Sequence, residues 1–177
     1  MRTDDFWAVI DRATADRPDS PDEVAKRAAA ELATCDPEEI VAWERHFGKV
    51  MAASGTEDLW AAAYLINGGC SDDGFDAFRG WLIAHGRSAV AGAVMDPDSL
   101  AEMADVRSAA LTGSVFEAEE MLSIGAKAYA LGTGGELPRF PVPSTRPDAV
   151  DLWDFDDDAE MRRRLPRLSA LFLEPPD

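Results

Sequence analysis

Between Asp58 and Arg87 the chain reads DLWAAAYLINGGCSDDGFDAFRGWLIAHGR. These thirty residues hold two Trp, one Tyr, two Phe, four acidic groups, two Arg, a Cys and a His, set around a single Asn67-Gly68-Gly69 turn. Aromatic and ionisable side chains at this density do not pack at random, because each polar atom taken from water needs a partner. The stretch is therefore either the centre of a specific core or the wall of a site.

The rest of the composition narrows the setting. A chain of 177 residues with 46% apolar content suits one domain that buries a core without staples. The formal charge of −17 opposes phosphate backbones and anionic lipid. No nucleic-acid partner and no membrane partner is expected; a protein or a cationic small molecule fits the charge. The basic run Arg162-Arg163-Arg164 with Arg167 follows the acidic Asp154–Asp158, so intramolecular pairing is its expected use. Cys35 and Cys70 match no CxxC or zinc-ligand spacing, and residues 1–10 lack the apolar run of a signal peptide, which points to a reducing cytoplasm. No stretch approaches the roughly 20 apolar residues of a membrane span.

Helical periodicity runs through most of the chain. Thr3 or Asp4 caps a first helix reaching about Thr14, with Phe6, Trp7 and Ile10 on one face. Ser20, Pro21 and Glu23 start a second through Ala33, whose thin apolar stripe of Val24, Ala28 and Leu32 predicts a peripheral position. Asp36-Pro37-Glu38-Glu39 opens a third, with Ile40, Trp43, Phe47, Val50 and Met51 as its buried face. The fourth carries Leu59, Trp60, Ala63, Tyr64 and Ile66 up to Asn67-Gly68-Gly69, residues that tolerate a positive φ.

Ser71 caps a fifth helix with Phe75, Phe78, Leu82 and His85 on one side and Asp72, Asp76 and Arg79 on another, closed by Gly86. Short helices are predicted over about Ser88–Val94 and from Pro97 with Leu100 and Met103. A longer one is predicted over Val115–Leu131, with Phe116, Met121 or Leu122, Ile124, and Ala128 or Tyr129 inward. Gly132-Thr133-Gly134-Gly135 with Pro138, Pro141, Pro143 and Pro147 then make an irregular arm. Val150-Asp151-Leu152-Trp153 alternates like an extended segment, and Asp156-Asp157-Asp158 caps a terminal helix that Pro166 breaks. The predicted fold is all-α: a single compact multi-helix domain, body 1–131, with the Pro/Gly-rich arm 132–177 part of the same domain and wrapping back on it.

Several pieces together resemble an uncharacterised bacterial family, domain-of-unknown-function family 4240. They are Asp5-Phe6-Trp7 with Ile10, Asp58-Leu59-Trp60-Ala61-Ala62-Ala63-Tyr64, Ile66-Asn67-Gly68-Gly69-Cys70-Ser71-Asp72-Asp73-Gly74-Phe75, and Phe78-Arg79-Gly80-Trp81-Leu82-Ile83. Trp153-Asp154-Phe155-Asp156-Asp157 is a weaker match. The resemblance implies a small, mainly helical cytoplasmic domain, usually standing alone, and brings no activity, cofactor or catalytic residue with it. Ala77 departs from it, since the resemblance implies a larger aromatic there.

The candidate ligand-binding residues are Trp60, Tyr64, Asn67, Asp72, Asp73, Asp76, Arg79, Trp81 and His85. Asp72 and Asp76 lie one turn apart and suit a divalent metal or cationic group, with Arg79 gripping an anion. Equally, Asp72 and Asp73 complement the helix dipole while Asp76 pairs with Arg79 on the surface. His46 and His85 form a base or metal pair only if the fold joins them, and each also suits an apolar helix flank. Cys70 follows the glycine turn at a helix start, where thiol pKa values tend to fall, yet cysteine is also a common core residue. The tryptophans line a ligand pocket or fill a core. No metal-protease spacing, dinucleotide fingerprint or phosphate loop is present, and Asp154–Asp158 lacks the glycine and glutamate of a calcium loop. No catalytic residue, cofactor or metal site is assigned. The leading reading is a helical interaction or small-ligand-sensing module using residues 58–87. The alternatives are a small enzyme using these carboxylates with His85, and an acidic nucleic-acid mimic.

Overall fold

The computed structural model describes residues 3–141, 146–147 and 152–175. Its helices are α1 (Thr3–Thr14), α2 (Pro21–Leu32), α3 (Pro37–Ala53), α4 (Glu57–Asn67), α5 (Asp72–Ala84), α6 (Arg87–Met95), α7 (Ala104–Thr112), α8 (Ile124–Thr133), α9 (Asp158–Arg164) and α10 (Pro166–Phe172). Two 3₁₀ turns, Pro97–Glu102 and Glu119–Ser123, interrupt the series, and no strand occurs among the described residues. The fold is all-α.

Local capping explains most of the starts. The Ser20 hydroxyl accepts from the Glu23 amide, Asp36 and Glu39 form a reciprocal box, and Thr56 and Ser71 accept from Leu59 and Gly74. Gly68 and Gly69 end α4 with φ of 68° and 127°, a backbone that residues with a Cβ resist. Phe6, Ile10, Trp43, Leu59, Phe75, Phe78 and Leu82 are each fully buried and sit in one continuous core.

At the centre lies α5. Every residue from Ala77 to Ala84 is buried, and the helix touches α1, α2, α4, α6 and the turn Glu119–Ser123. A helix enclosed on nearly all sides belongs to the middle of a bundle.

Three expectations from the sequence need correcting. Helix α2 is not peripheral: Val24, Ala25, Ala28, Ala29 and Leu32 are buried against α1, α5, α8 and the turn Glu119–Ser123. Its alanines lack bulk, and that lets neighbouring helices approach closely. The helix predicted over Val115–Leu131 starts late. Residues 114–118 have no regular secondary structure, the turn Glu119–Ser123 follows, and α8 begins only at Ile124. These residues are bonded to the α4–α5 pair instead: the Ala118 amide donates to the Ala77 carbonyl at 3.0 Å. Gly80 permits this approach, since a Cβ there would lie 2.6 Å from the Ala118 carbonyl oxygen. The chain also does not end its helices at Pro166, which instead starts α10.

Asp98 docks that last helix. Only 5% exposed, it accepts from the backbone amides of Arg167 (3.0 Å) and Leu168 (2.9 Å) and from Arg167 Nε (3.0 Å). It thus caps α10 from a turn some 70 residues earlier. Asp98→Ala strands those buried amides, and we expect a loss of about 2 kcal/mol in urea unfolding. Amide exchange in α10 should accelerate ahead of the rest; unchanged protection there would contradict the capping role.

Candidate functional site

The α4–α5 hairpin folds back at its double glycine with its indoles turned inward. Trp60 is 4% exposed, stacks on Phe75 at 5.0 Å with the planes 7° apart, and donates from Nε1 to the Cys70 carbonyl at 3.1 Å. Trp81, also 4% exposed, stacks on Phe116 at 4.3 Å. Asn67 holds that same Phe116 by its backbone: Oδ1 accepts from the amide at 3.0 Å and Nδ2 donates to the carbonyl at 3.2 Å. The side-chain amide satisfies the backbone groups of a residue that no helix or strand supplies with partners.

Arg79 is the polar centre of the pair. The sequence placed its pairing with Asp76 on the surface, but the side chain is 0% exposed. Its Nη1 donates to the Met51 carbonyl at 2.5 Å, Nη2 to Asp76, and Nε to the Phe75 carbonyl at 3.4 Å. The guanidinium carbon lies 4.4 Å from the Phe75 ring centre. Burial lowers its pKa below the usual arginine range, and the Asp76 carboxylate opposes that. A one-sided periodicity missed this because Arg79 leaves the acidic stripe to reach the last turn of α3.

Outside the buried arginine runs an acidic rim. Asp72 and Asp73 are exposed in the first turn of α5, and Asp76 is 24% exposed in its side chain. Arg146 from the arm approaches it, with Nη1 at 3.5 Å from Asp72 and Nε at 3.7 Å from Asp76. Asp73, Asp76, Glu119 and Leu122 border a shallow notch of about 280 Å³.

The other predicted residues lie elsewhere. Tyr64 donates from its hydroxyl to Asp156 at 2.6 Å, and Phe155 covers both Tyr64 and Trp60. Glu57 accepts from the Trp153 amide at 2.6 Å, while Arg164 stacks on Trp153 at 5.0 Å and pairs with Asp58 at 3.1 Å. Leu152–Asp158 is therefore strapped to α4; Pro143, Val150 and Asp151 lie outside the described residues. The basic run pairs within the chain, Arg163 and Arg164 with Glu160, and Arg167 with Asp96, Asp98 and Glu102.

Neither histidine meets a rim carboxylate. His46 stacks on Phe6 at 5.2 Å, and His85 takes the Trp81 carbonyl at 2.9 Å and Asp105 at 3.2 Å. Asp72 begins α5 and His85 follows its last residue, which sets them about 20 Å apart at the helical rise. Of the two readings of Cys70, the thiol follows the core one: burial, with the Glu117 carboxylate adding, pushes it up to about 12. Among the described residues, no group of three or more His, Cys, Asp or Glu side chains is placed to hold a metal ion.

Sequence reasoning passed over Glu44. From mid-α3 its carboxylate accepts from the Gly125 amide in the first turn of α8, whose own N-cap, Ser123, offers no side-chain bond. A methyl group on Gly125 would overlap that carboxylate. Burial pushes Glu44 up to about 7 from 4.5, with the Gly125 bond opposing. The folded state holds this proton more tightly than the unfolded chain, so the associated stability is complete below 4.5 and lost as pH rises through 7. His46 acts in the opposite sense, since burial and Lys49 lower its pKa below 6.5. The difference between wild type and Glu44→Gln cancels the histidine. We expect that difference to change by on the order of 2 kcal/mol between about pH 5 and about pH 8, after allowance for solvent screening. Parallel stability curves would contradict it.

No curated protein and no solved structure matches the chain. One family model matches residues 1–131, which takes in the whole α4–α5 hairpin and stops short of the Trp153–Asp157 segment. The chain belongs to the family described as protein of unknown function (DUF4240).

Proposed function

We propose that this chain is a helical interaction module that binds a cationic segment of a partner protein on the rim formed by Asp72, Asp73 and Asp76. The observation that carries this reading is the approach of Arg146: a guanidinium from the chain's own arm already rests against Asp72 and Asp76. A partner arginine would make the same contact and gain Asp73 and Glu119 beside it. The buried Arg79 fixes Asp76 from beneath, so the carboxylate is held in place before any partner arrives. The overall charge of −17 draws such segments in and disfavours nucleic acid.

The indoles Trp60 and Trp81 act in this account as core and not as a ligand wall. We treat residues 1–131 as the body and 132–177 as an arm of the same domain, on the contacts between Leu152–Asp158 and α4. The unpaired Cys35 and Cys70 support a reducing, cytoplasmic setting.

Titration with a fluorescent hexa-arginine peptide at about 0.15 M salt tests the reading. Asp72→Asn/Asp73→Asn should weaken binding about tenfold, close to 1.4 kcal/mol. The control Asp16→Asn/Asp19→Asn removes equal charge and should cost less than about twofold. Equal losses in both variants, or no binding at about 1 mM, would refute a specific rim.

A further inference from the structure

A second opening lies away from the rim. Helix α3 supplies Glu44, α8 supplies Ala126 and Ala130, and the segment after α8 supplies Leu137, Pro138 and Phe140. Together they border a cleft of about 560 Å³, within the range of small-molecule sites. Its walls are largely apolar. Glu136 and Arg139, both exposed, complete the border, and the Arg45 guanidinium sits 5.2 Å from the Phe140 ring centre, where it supports that wall.

We propose that this cleft binds a small molecule made of an apolar body and one protonated amine, with Glu44 as the counter-ion. A half-buried carboxylate beside alanine and leucine side chains has lost hydration, and the Gly125 amide restores only part of it. An ionised carboxylate has room for about four hydrogen bonds. An ammonium group supplies further donors and the missing charge in one contact. The apolar body would meanwhile cover Ala126, Ala130, Leu137 and Phe140. An anion would meet the Glu44 carboxylate within the cleft, while Glu136 and Arg139 offset each other at the exposed border, and a neutral alcohol would gain the apolar contact without the ion pair. This inference uses neither Asp72 nor Asp76, so it stands or falls apart from the rim.

Phenethylamine is a suitable probe, with phenethyl alcohol and phenylacetate as isosteric controls, titrated into the full chain by calorimetry and chemical-shift mapping. For a ligand of this size a Kd on the order of 1 mM is expected. The alcohol and the acid should each bind at least about tenfold more weakly. Ala126 is exposed, so Ala126→Trp fills the cleft without disturbing the core and should abolish amine binding. Glu44→Gln should reduce the amine to the affinity of the alcohol. Equal binding of amine and alcohol, no amine binding by about 10 mM, or full affinity in Ala126→Trp overturns the proposal. Binding that survives Ala126→Trp and falls in Asp72→Asn places the amine on the α5 rim and overturns it equally.

Discussion

Each α-helix leaves about four amides at its start and four carbonyls at its end without partners inside the helix. A bundle of many short helices buries several of these ends, and each one left bare costs about 1–3 kcal/mol. Here the remedy comes from other helices. Arg79 of α5 donates to the Met51 carbonyl in the last turns of α3, Glu44 of α3 accepts from Gly125 at the start of α8, and Asp98 accepts from Arg167 and Leu168 at the start of α10. For Arg79 and Asp98 the charge also matches the dipole, positive at a C-terminus and negative at an N-terminus. Arg79 is the deepest of these groups, and α5, which carries it, is the helix around which the others assemble.

That use of charge bears directly on function. The polar density of residues 58–87 suggested a site, yet most of its polar atoms hold structure. Asn67 clamps Phe116, Trp60 bonds Cys70, and Tyr64 anchors the arm through Asp156. The surface proposed for a partner is the exposed first turn of α5, beneath which Arg79 pairs with Asp76. The carboxylate and histidine pairing of the enzyme alternative does not form, because Asp72 and His85 occupy opposite ends of one helix.

Local signals explain what the sequence revealed. A cap needs residues within one turn, so Ser20, Asp36 and Ser71 were legible from spacing alone, as was the left-handed turn at Gly68. Contacts between helices carry no such local mark. Arg79 read as a surface residue because its partner Met51 is 28 residues away. Helix α2 read as peripheral because periodicity counts bulk, whereas its alanines act by closeness. The segment before α8 read as helical from the spacing of its apolar residues; contacts with Asn67, Ala77 and Gly80 hold it out of the helix. The separation of Asp72 from His85 follows from residue spacing on one helix, and that spacing already limits the acid–base reading.

The most direct test of this account is the equilibrium unfolding of Arg79→Met, which keeps most of the side-chain volume and removes the donors and the charge. Losing the buried guanidinium leaves the Met51 carbonyl without its donor and Asp76, half-buried, with Arg146 beside it, and the expected loss is about 2–4 kcal/mol. A variant within about 0.5 kcal/mol of wild type would show that α3 and α5 do not depend on the guanidinium, and would contradict the account.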